Sequence, residues 1–418
     1  MQNNITSFSD YAQRVYQRCD ALALHSQSYS GMDRRYLTSE HAMANMQLVN
    51  WMEQCGMRTW MDAAGNQWGR YEAVTPDAPT LMMGSHIDTV PDGGKYDGIL
   101  GVLLPITLIE TLHADRIRLP FNIDIVAFGD EEGTRFNTTL LGSRAVTGNW
   151  KPEWLDLTDP QGTTLRDALA HFGGDPDDMA SASRRGDNLL GFLETHIEQG
   201  PVLEAENLPV GVVSSINGAK RYSLTLKGSA GHAGTVPMHM RNDALVAAAE
   251  MIYAVEEVAI ETGVVATVGK IINSPNAVNV ISGEVRFSLD VRSELDSRRD
   301  TAVEILRQVL NKIANRRNVE MEWRMTHSAQ AVECDARFQH LLAESIARSQ
   351  YGRTTLPSGA GHDAMEMANI CSIGMLFVRC DRGISHHPAE AVKVEDIEAA
   401  LRVLSQFVDV LAQDLAEN

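Results

Sequence analysis

The sequence predicts an α/β protein of two domains: a larger domain on a mixed, mostly parallel sheet with helices on both faces, and an inserted ferredoxin-like α+β domain. Three observations predict it. In the first half of the chain, short apolar runs that read as buried strands alternate with helical segments, as βαβ units do. Near Ile216 the pattern changes to alternating strands and two long helices in the order β-α-β-β-α-β, that of a ferredoxin-like unit. The length of 418 residues also exceeds what one hydrophobic core usually serves.

Residues 39–55 read as a helix, with Met43, Met46, Leu48, Val49 and Met52 near helical spacing. Leu81–Ser85 and Ile123–Phe128 read as buried strands with the strongly apolar helix Ile99–Leu112 between them. Ligands of such sheets gather beyond the carboxyl ends of the strands, and His86, Glu131, Glu132 and His196 all fall just past strand candidates. The segment 151–190, rich in Asp, Gly, Pro and Ser, reads as a small helical excursion with loops. Tyr222, Leu224 and Leu226 then alternate as a half-buried strand does, followed by an alanine-rich helix over Asn242–Thr262 and a strand over Val264–Ile271. Val285, Phe287, Leu289 and Val291 alternate again; Ala302, Leu306, Val309, Leu310 and Ile313 mark a helix face, and Val319–Met325 closes the set. The helix Phe338–Ser349, the tight loop Gly359–Asp363, the strand Ile373–Val378 and the helix Val394–Leu415 return to the first domain. The expected boundaries are 1–215 with 329–418 for the larger domain and 216–328 for the insertion.

Composition excludes several classes. A net charge of −19 repels nucleic acid and anionic membrane surfaces, and no basic run interrupts it. Apolar content of 44% is ordinary for a globular protein, and no stretch approaches the ~18 apolar residues of a membrane span. The five cysteines are scattered and form no Cys-x-x-Cys pair, which argues against a disulfide framework or a thiolate zinc site and suits a reducing compartment. Met1–Thr6 lacks a basic segment followed by an apolar one, so the expectation is a cytoplasmic protein without a secretory signal.

The chemistry resides in His86-Ile87-Asp88 behind an apolar strand, Tyr96-Asp97-Gly98 at the mouth of an apolar helix, Glu131-Glu132, His196 and Ser385-His386. A two-metal hydrolytic site needs nitrogen and oxygen ligands from several segments, one shared carboxylate, and room for a bridging water. His86, Asp97, Glu132, His196 and His386 meet that requirement. A lone loop histidine is ordinarily a hydrogen-bonded structural residue, but core packing gives no reason for five polar groups at strand ends. Asp88 is placed to hold the other nitrogen of His86 or its surroundings. Of the adjacent Glu131 and Glu132, one can bind metal while the other faces the water as general base.

Gly84–Val90, Tyr96–Gly98, Glu131–Gly133, His196–Gly200, His232–Met238, Asn276–Val280 and Gly383–His386 together resemble the hydantoinase/carbamoylase branch of the M20 metallopeptidase-like amidohydrolases. The match runs in order over nearly the whole chain, and His196-Ile197-Glu198-Gln199-Gly200 points to this branch over the peptidases. The resemblance implies two divalent ions, zinc or manganese, bridged by Asp97, with His86 and His196 on one and Glu132 and His386 on the other. It gives Glu131 the general-base role, lets Asp88 orient His86, and makes the inserted domain a lid and homodimer interface. His232 would reach into the partner's site and stabilise the oxyanion. Asn279 and Arg292 match positions that hold the substrate carboxylate, with Gln199, Arg221 and His362 as further contacts. His387 is a departure, since relatives carry Asn or Ser there.

The reaction so implied is hydrolysis of a ureido (N-carbamoyl) group on a small carboxylic acid, releasing ammonia and carbon dioxide. Lys220 and Arg221 beside the binding strand favour allantoate, whereas Ala219 stands where an allantoate enzyme can carry Gln. The alternatives are an N-carbamoyl-L-amino-acid hydrolase, an aminoacylase or dipeptidase on the same scaffold, and a non-catalytic metal-stabilised protein. Glu198-Gln199 speaks against the aminoacylase or dipeptidase, and the intact ligand set with Glu131 speaks against the non-catalytic protein.

Overall fold

A computed structural model of the chain describes residues 7–417. The stretch 1–6, read above as lacking a secretory signal, lies outside the described residues. In chain order, α1 (Phe8–Ala23) and α2 (Ser39–Gln54) precede β1 (Arg58–Met61), β2 (Gln67–Tyr71), β3 (Thr80–His86), α3 (Ile99–Ala114) and β4 (Asn122–Phe128). The short α4 (Leu141–Val146) and α5 (Leu165–Phe172) lead to β5 (Leu189–Ile197), α6 (Val202–Ala205) and β6 (Val210–Ile216). Then come β7 (Gly218–Lys227), β8 (Gly231–His232), α7 (Ala244–Thr262), β9 (Val265–Thr267), β10 (Ile271–Ser274), β11 (Val280–Ile281) and β12 (Glu284–Ser293). They are followed by α8 (Asp296–Arg317), β13 (Glu320–Ala329), β14 (Val332–Glu333), α9 (Ala336–Arg348), β15 (Thr355–Ser358), α10 (Ala364–Met367), β16 (Ile373–Val378) and α11 (Val394–Glu417).

The chain divides into two compact units. The first runs to Ser214 and resumes over Cys334–Leu356 and from Ala360 onward; the second is Ser215–Glu333 with Pro357–Gly359.

The main sheet of the first unit has the order β1-β2-β4-β3-β5-β16-β6. Its centre, β4-β3-β5-β16, is parallel, while β1, β2 and β6 are antiparallel flanks. Parallel strands end at one common edge, so the residues following β3, β4, β5 and β16 are delivered to the same place. β3, β4 and β16 are buried at every position, as strands covered on both faces must be. One large apolar core joins them to α1, α3, α9 and α11; α3 is buried nearly all round, which explains its unbroken apolar sequence. A second cluster is built from α4, α5 and the segments around Leu37 and Trp154. In α2 the buried face is His41, Ala44, Asn45, Leu48 and Met52, whereas Met43 and Met46, read from the sequence as part of the stripe, are exposed. The 41/44/48/52 spacing follows the helical period; positions 43 and 46 turn to the other side.

The second unit contains an antiparallel sheet of order β10-β12-β7-β13, with β9 also pairing β12. Leu224, Leu226, Val285, Phe287, Leu289 and Val291 pack with Ala247, Met251 and Val255 of α7 and Leu306 and Leu310 of α8 in one core. The alternation seen in the sequence is thus one face against two helices. The single strand expected over Val264–Ile271 is interrupted between Thr267 and Ile271, around Gly269, a residue that weakens strand pairing. Among the described residues, no helix is long and apolar enough to cross a membrane.

Candidate active site

The edge where β3, β4, β5 and β16 end carries the polar cluster. His86 is the last residue of β3, Glu131 and Glu132 follow β4, His196 lies at the end of β5, and His386 is on the loop after β16. Asp97 sits just before α3. There Gly98, at φ 70°, turns the chain into the helix, and a Cβ on it would lie 2.5 Å from the His86 ring.

These residues, remote in sequence, converge on one carboxylate. Asp97 Oδ1 lies 3.4 Å from His86 Nε2 and 3.1 Å from His196 Nε2. Asp97 Oδ2 lies 3.2 Å from His386 Nε2, which is 3.3 Å from Glu132 Oε1. Ligand atoms of His86, Asp97 and His196 fall within 4.8 Å of one another, as do those of Asp97, Glu132 and His386, and of His86, Glu131 and Glu132.

The imidazoles are oriented by their other nitrogens. His86 Nδ1 is 2.9 Å from the Asp88 carbonyl oxygen and His196 Nδ1 is 2.9 Å from the Ile197 carbonyl oxygen. A carbonyl can only accept, so each Nδ1 carries a proton and each Nε2 faces Asp97 and the site. Asp88 thus holds the other nitrogen of His86 through its carbonyl and not its carboxylate, whose oxygen is 3.7 Å from Nδ1, too far to hydrogen-bond. Its two oxygens instead accept the backbone N–H groups of Glu131 (3.1 Å) and Glu132 (3.2 Å), fixing the acidic turn.

The electrostatics call for positive charge. Burial pushes the Asp97 carboxyl up, but hydrogen bonds from His196, His386 and His86 outweigh it and hold it well below the carboxylate range. Burial disfavours charge on His86, yet the bond to Asp97 and nearby Glu131 and Asp88 raise its pKa well above the usual value. Hydrogen bonds to Asp97 and Glu132 raise His386 to about 10. Thus the three imidazoles compensate a knot of carboxylates with protons, the charge a divalent cation would supply in their place. A sulfur-free set of imidazole and carboxylate donors fits a divalent metal cation. Burial raises Glu131 well above the ordinary range, with His86 lowering it and Glu132, Asp363 and Asp88 adding to the rise; a carboxyl so raised is a better proton acceptor than an ordinary glutamate.

The other expected site residues fall into two groups. Gln199, at φ 57°, donates from Nε2 to Asp97 Oδ2 (2.8 Å) and Ser385 Oγ (3.1 Å), so it braces the shared carboxylate. His362 is buried with its ring 4.5 Å from that of His196, packed beside a ligand candidate. In the second unit, β8 pairs β11 and sets His232 opposite Val280, next to Asn279, whose carbonyl accepts the Ala233 N–H. His232 and Asn279 are both exposed, and His232 Nδ1 accepts the Gly234 N–H, leaving Nε2 outward. Arg292 donates from Nε and Nη2 to the two oxygens of Asp290 and from Nη1 to the Gly359 carbonyl. Five N–H groups less three leaves one on each terminal nitrogen, Nη1 and Nη2. Arg221 is bonded to Asp290 at 2.8 Å and Lys220 to Asp300 at 2.8 Å, so both basic residues singled out for allantoate already have acidic partners. His387 is exposed and accepts the Ala389 N–H through Nδ1.

Sequence reasoning missed two buried glutamates. Glu194 accepts the Ser85 hydroxyl (2.6 Å) and the Ala364 N–H (2.9 Å), tying β3 and β5 to α10. Glu390 accepts the N–H groups of Tyr96 (2.8 Å) and Asp97 (3.1 Å); burial, then the Asp97 charge, push its pKa up to about 7. Position relative to His196 and His386 was their only signal.

A shared carboxylate flanked by two nitrogen–oxygen donor triads, with Glu131 beside it at a parallel-sheet edge, defines a metal-dependent hydrolase. Residues 82–410 match Peptidase family M20/M25/M40, and the chain belongs to that family. An N-carbamoyl-L-amino-acid amidohydrolase of Pseudomonas sp. (strain NS671) is 39% identical over 383 residues, covering 90% of this chain and 92% of that one. A probable allantoate deiminase of Oryza sativa subsp. japonica is 38% identical over 421 residues, covering 92% of this chain and 85% of that one. The crystal structure of a hydantoinase/carbamoylase family amidase from Burkholderia multivorans aligns with a TM-score of 0.90 at 31% identity, covering 95% and 97% of the two chains. The branch read from the motifs stands, and the protein is an M20-family amidohydrolase with residues that could hold a dinuclear metal centre.

Proposed function

We propose that the protein hydrolyses the ureido (N-carbamoyl) group of a small carboxylic acid, allantoate first, releasing ammonia and carbon dioxide. The observation that carries this reading is Asp97 shared between the His86–His196 and Glu132–His386 donor sets with Glu131 at their side. His86, Asp97 and His196 would hold one divalent ion and Asp97, Glu132 and His386 a second, zinc or manganese, supplying Lewis acidity and a lowered water pKa.

Glu131 takes a proton from the attacking water and delivers it to the departing nitrogen, which converts a poor amide leaving group into an amine. Asp88 keeps Glu131 and Glu132 in fixed orientation through their backbone amides. His232 stabilises the developing oxyanion, and Asn279 with the two remaining terminal N–H groups of Arg292 takes the substrate carboxylate. The second unit acts as lid and homodimer contact. In the single chain Val246, Tyr253 and Ile260, at helical spacing on α7, and Ile271 and Ile272 on the edge strand β10 are exposed, apolar surface that a second copy would cover. A reducing cytoplasm suits its five free thiols.

The second reading, an N-carbamoyl-L-amino-acid hydrolase, is favoured by the acidic partners of Lys220 and Arg221, which leave less free positive charge for a second ureido group. Ammonia release from allantoate, N-carbamoyl-L-amino acids, N-acetyl-amino acids and dipeptides, measured with Mn²⁺ and Zn²⁺ separately, tests both. Turnover of allantoate supports the first reading; N-carbamoyl substrates alone replace it with the second. Turnover confined to acetylated or peptide substrates ends both.

A further inference from the structure

We propose that Glu390 is the positioning residue that sets Asp97 against His386, so that the second ion, held by Asp97, Glu132 and His386, depends on it. The proposal rests on the dinuclear reading above and adds a residue to it.

Asp97 and His386 come from loops, and nothing in regular secondary structure fixes one against the other. Glu390, a residue 4% exposed, contacts both loops through its carboxyl, at Tyr96 and Asp97 in one and Ser385 in the other. Oε1 accepts the backbone N–H groups of Tyr96 and Asp97 at 2.8 and 3.1 Å, gripping the turn that carries the shared carboxylate. Oε2 lies 3.1 Å from the hydroxyl of Ser385, the residue before His386, and that hydroxyl donates to Asp97 Oδ2 at 2.7 Å. Ser385 thus closes a ring of contacts from Glu390 through the His386 loop to Asp97. The approach is close: a Cβ on Gly94 would lie 2.2 Å from the Glu390 carboxyl carbon, so the loop can pass only without a side chain there. His386 itself sits at φ 55°, a conformation unfavourable for a residue with a Cβ, which surrounding contacts must hold.

His86 and His196 need no such tie. They belong to neighbours in the sheet, β3 and β5, and their Nδ1 atoms are held by local carbonyls. The asymmetry predicts a selective effect. Loss of Glu390 weakens the second ion and spares the first, whereas a general structural staple affects the whole fold and both ions alike.

The test is metal titration of the full-length protein, with stoichiometry after dialysis by elemental analysis and the visible spectrum of the Co²⁺-loaded form. Glu390→Ala is expected to retain the first ion and to bind the second about 10- to 100-fold more weakly, the range for outer partners of metal ligands. Glu390→Gln keeps an acceptor for the two N–H groups and is expected to restore most of that loss. Unchanged affinity for both ions in Glu390→Ala overturns the proposal, as does parallel weakening of both. If Glu390→Ala does not fold, Ser385→Ala decides: selective weakening of the second ion supports the proposal and unchanged affinity overturns it. A wild-type protein that binds fewer than two ions fails the dinuclear reading itself, a result distinct from either.

Discussion

Replacing Glu131 by Gln removes one ionisable oxygen and changes almost nothing else. The side chain is isosteric, the backbone N–H of residue 131 still donates to Asp88, and none of the contacts among His86, His196, His386 and Asp97 involves it. Fold and metal content are therefore expected to persist. Chemistry is expected to fail, because an amide can neither accept the proton of the attacking water nor return it to the leaving nitrogen. General acid–base assistance contributes about 10²- to 10⁴-fold, and at about 1.4 kcal/mol per decade the barrier rises by roughly 3–5 kcal/mol. The assay is ammonia release at saturating substrate, with bound metal counted on the same sample and thermal unfolding recorded beside it. A variant carrying two ions and unfolding like the wild type, yet turning over within tenfold of it, would refute the assignment of proton transfer to Glu131.

Three further outcomes are expected. Dialysis against EDTA should abolish ammonia release and lower Tm, with recovery on adding Mn²⁺ or Zn²⁺, since an ion at a thousandfold excess over its Kd stabilises by about 4 kcal/mol; activity untouched by chelation contradicts a metal mechanism. Burial first, then the charge of Arg34, push His41 down from 6.5 to about 3. The unfolded chain therefore takes up that proton first, and stability present above pH 6.5 is lost as pH falls, by about 2 kcal/mol between pH 8 and pH 5. Urea unfolding at both pH values should show the gap between wild type and His41→Gln narrowing by that amount at pH 5, and a constant gap contradicts it. Tyr253→Glu, on the exposed face of α7, should convert a dimer to monomers in light scattering without lowering the metal content; an unchanged dimer removes that face from the interface.

The site was more legible than its supports. His86, Glu132, His196 and Asp97 announce themselves because each follows or precedes an apolar run, and the parallel sheet turns that linear fact into a common location. Main-chain contacts leave no such mark. Nothing in the identity of Asp88 says that its carbonyl, rather than its carboxylate, faces His86. Glu390 is equally silent, because two of its partners are backbone amides almost three hundred residues earlier. Element identities in the second unit were readable from alternation, but the break between β9 and β10 around Gly269 does not disturb that pattern enough to be read from it. The first helix, α1, was not anticipated, although Ser7 and Asp10 form a reciprocal capping box at its start.

The place of β16 bears on how the molecule is made. This strand lies inside the main sheet between β5 and β6, yet it follows both in the chain, beyond the whole second unit, and α11 after it packs into the largest core. A nascent chain emerging in order acquires His86, Asp97, Glu132 and His196 well before His386. Until β16 and the loop after it leave the ribosome, the growing polypeptide has an open gap in its main sheet and four of the five donors; Glu132 and Asp97 still lack His386, so an early ion settles among His86, Asp97 and His196, beside β3 and β5.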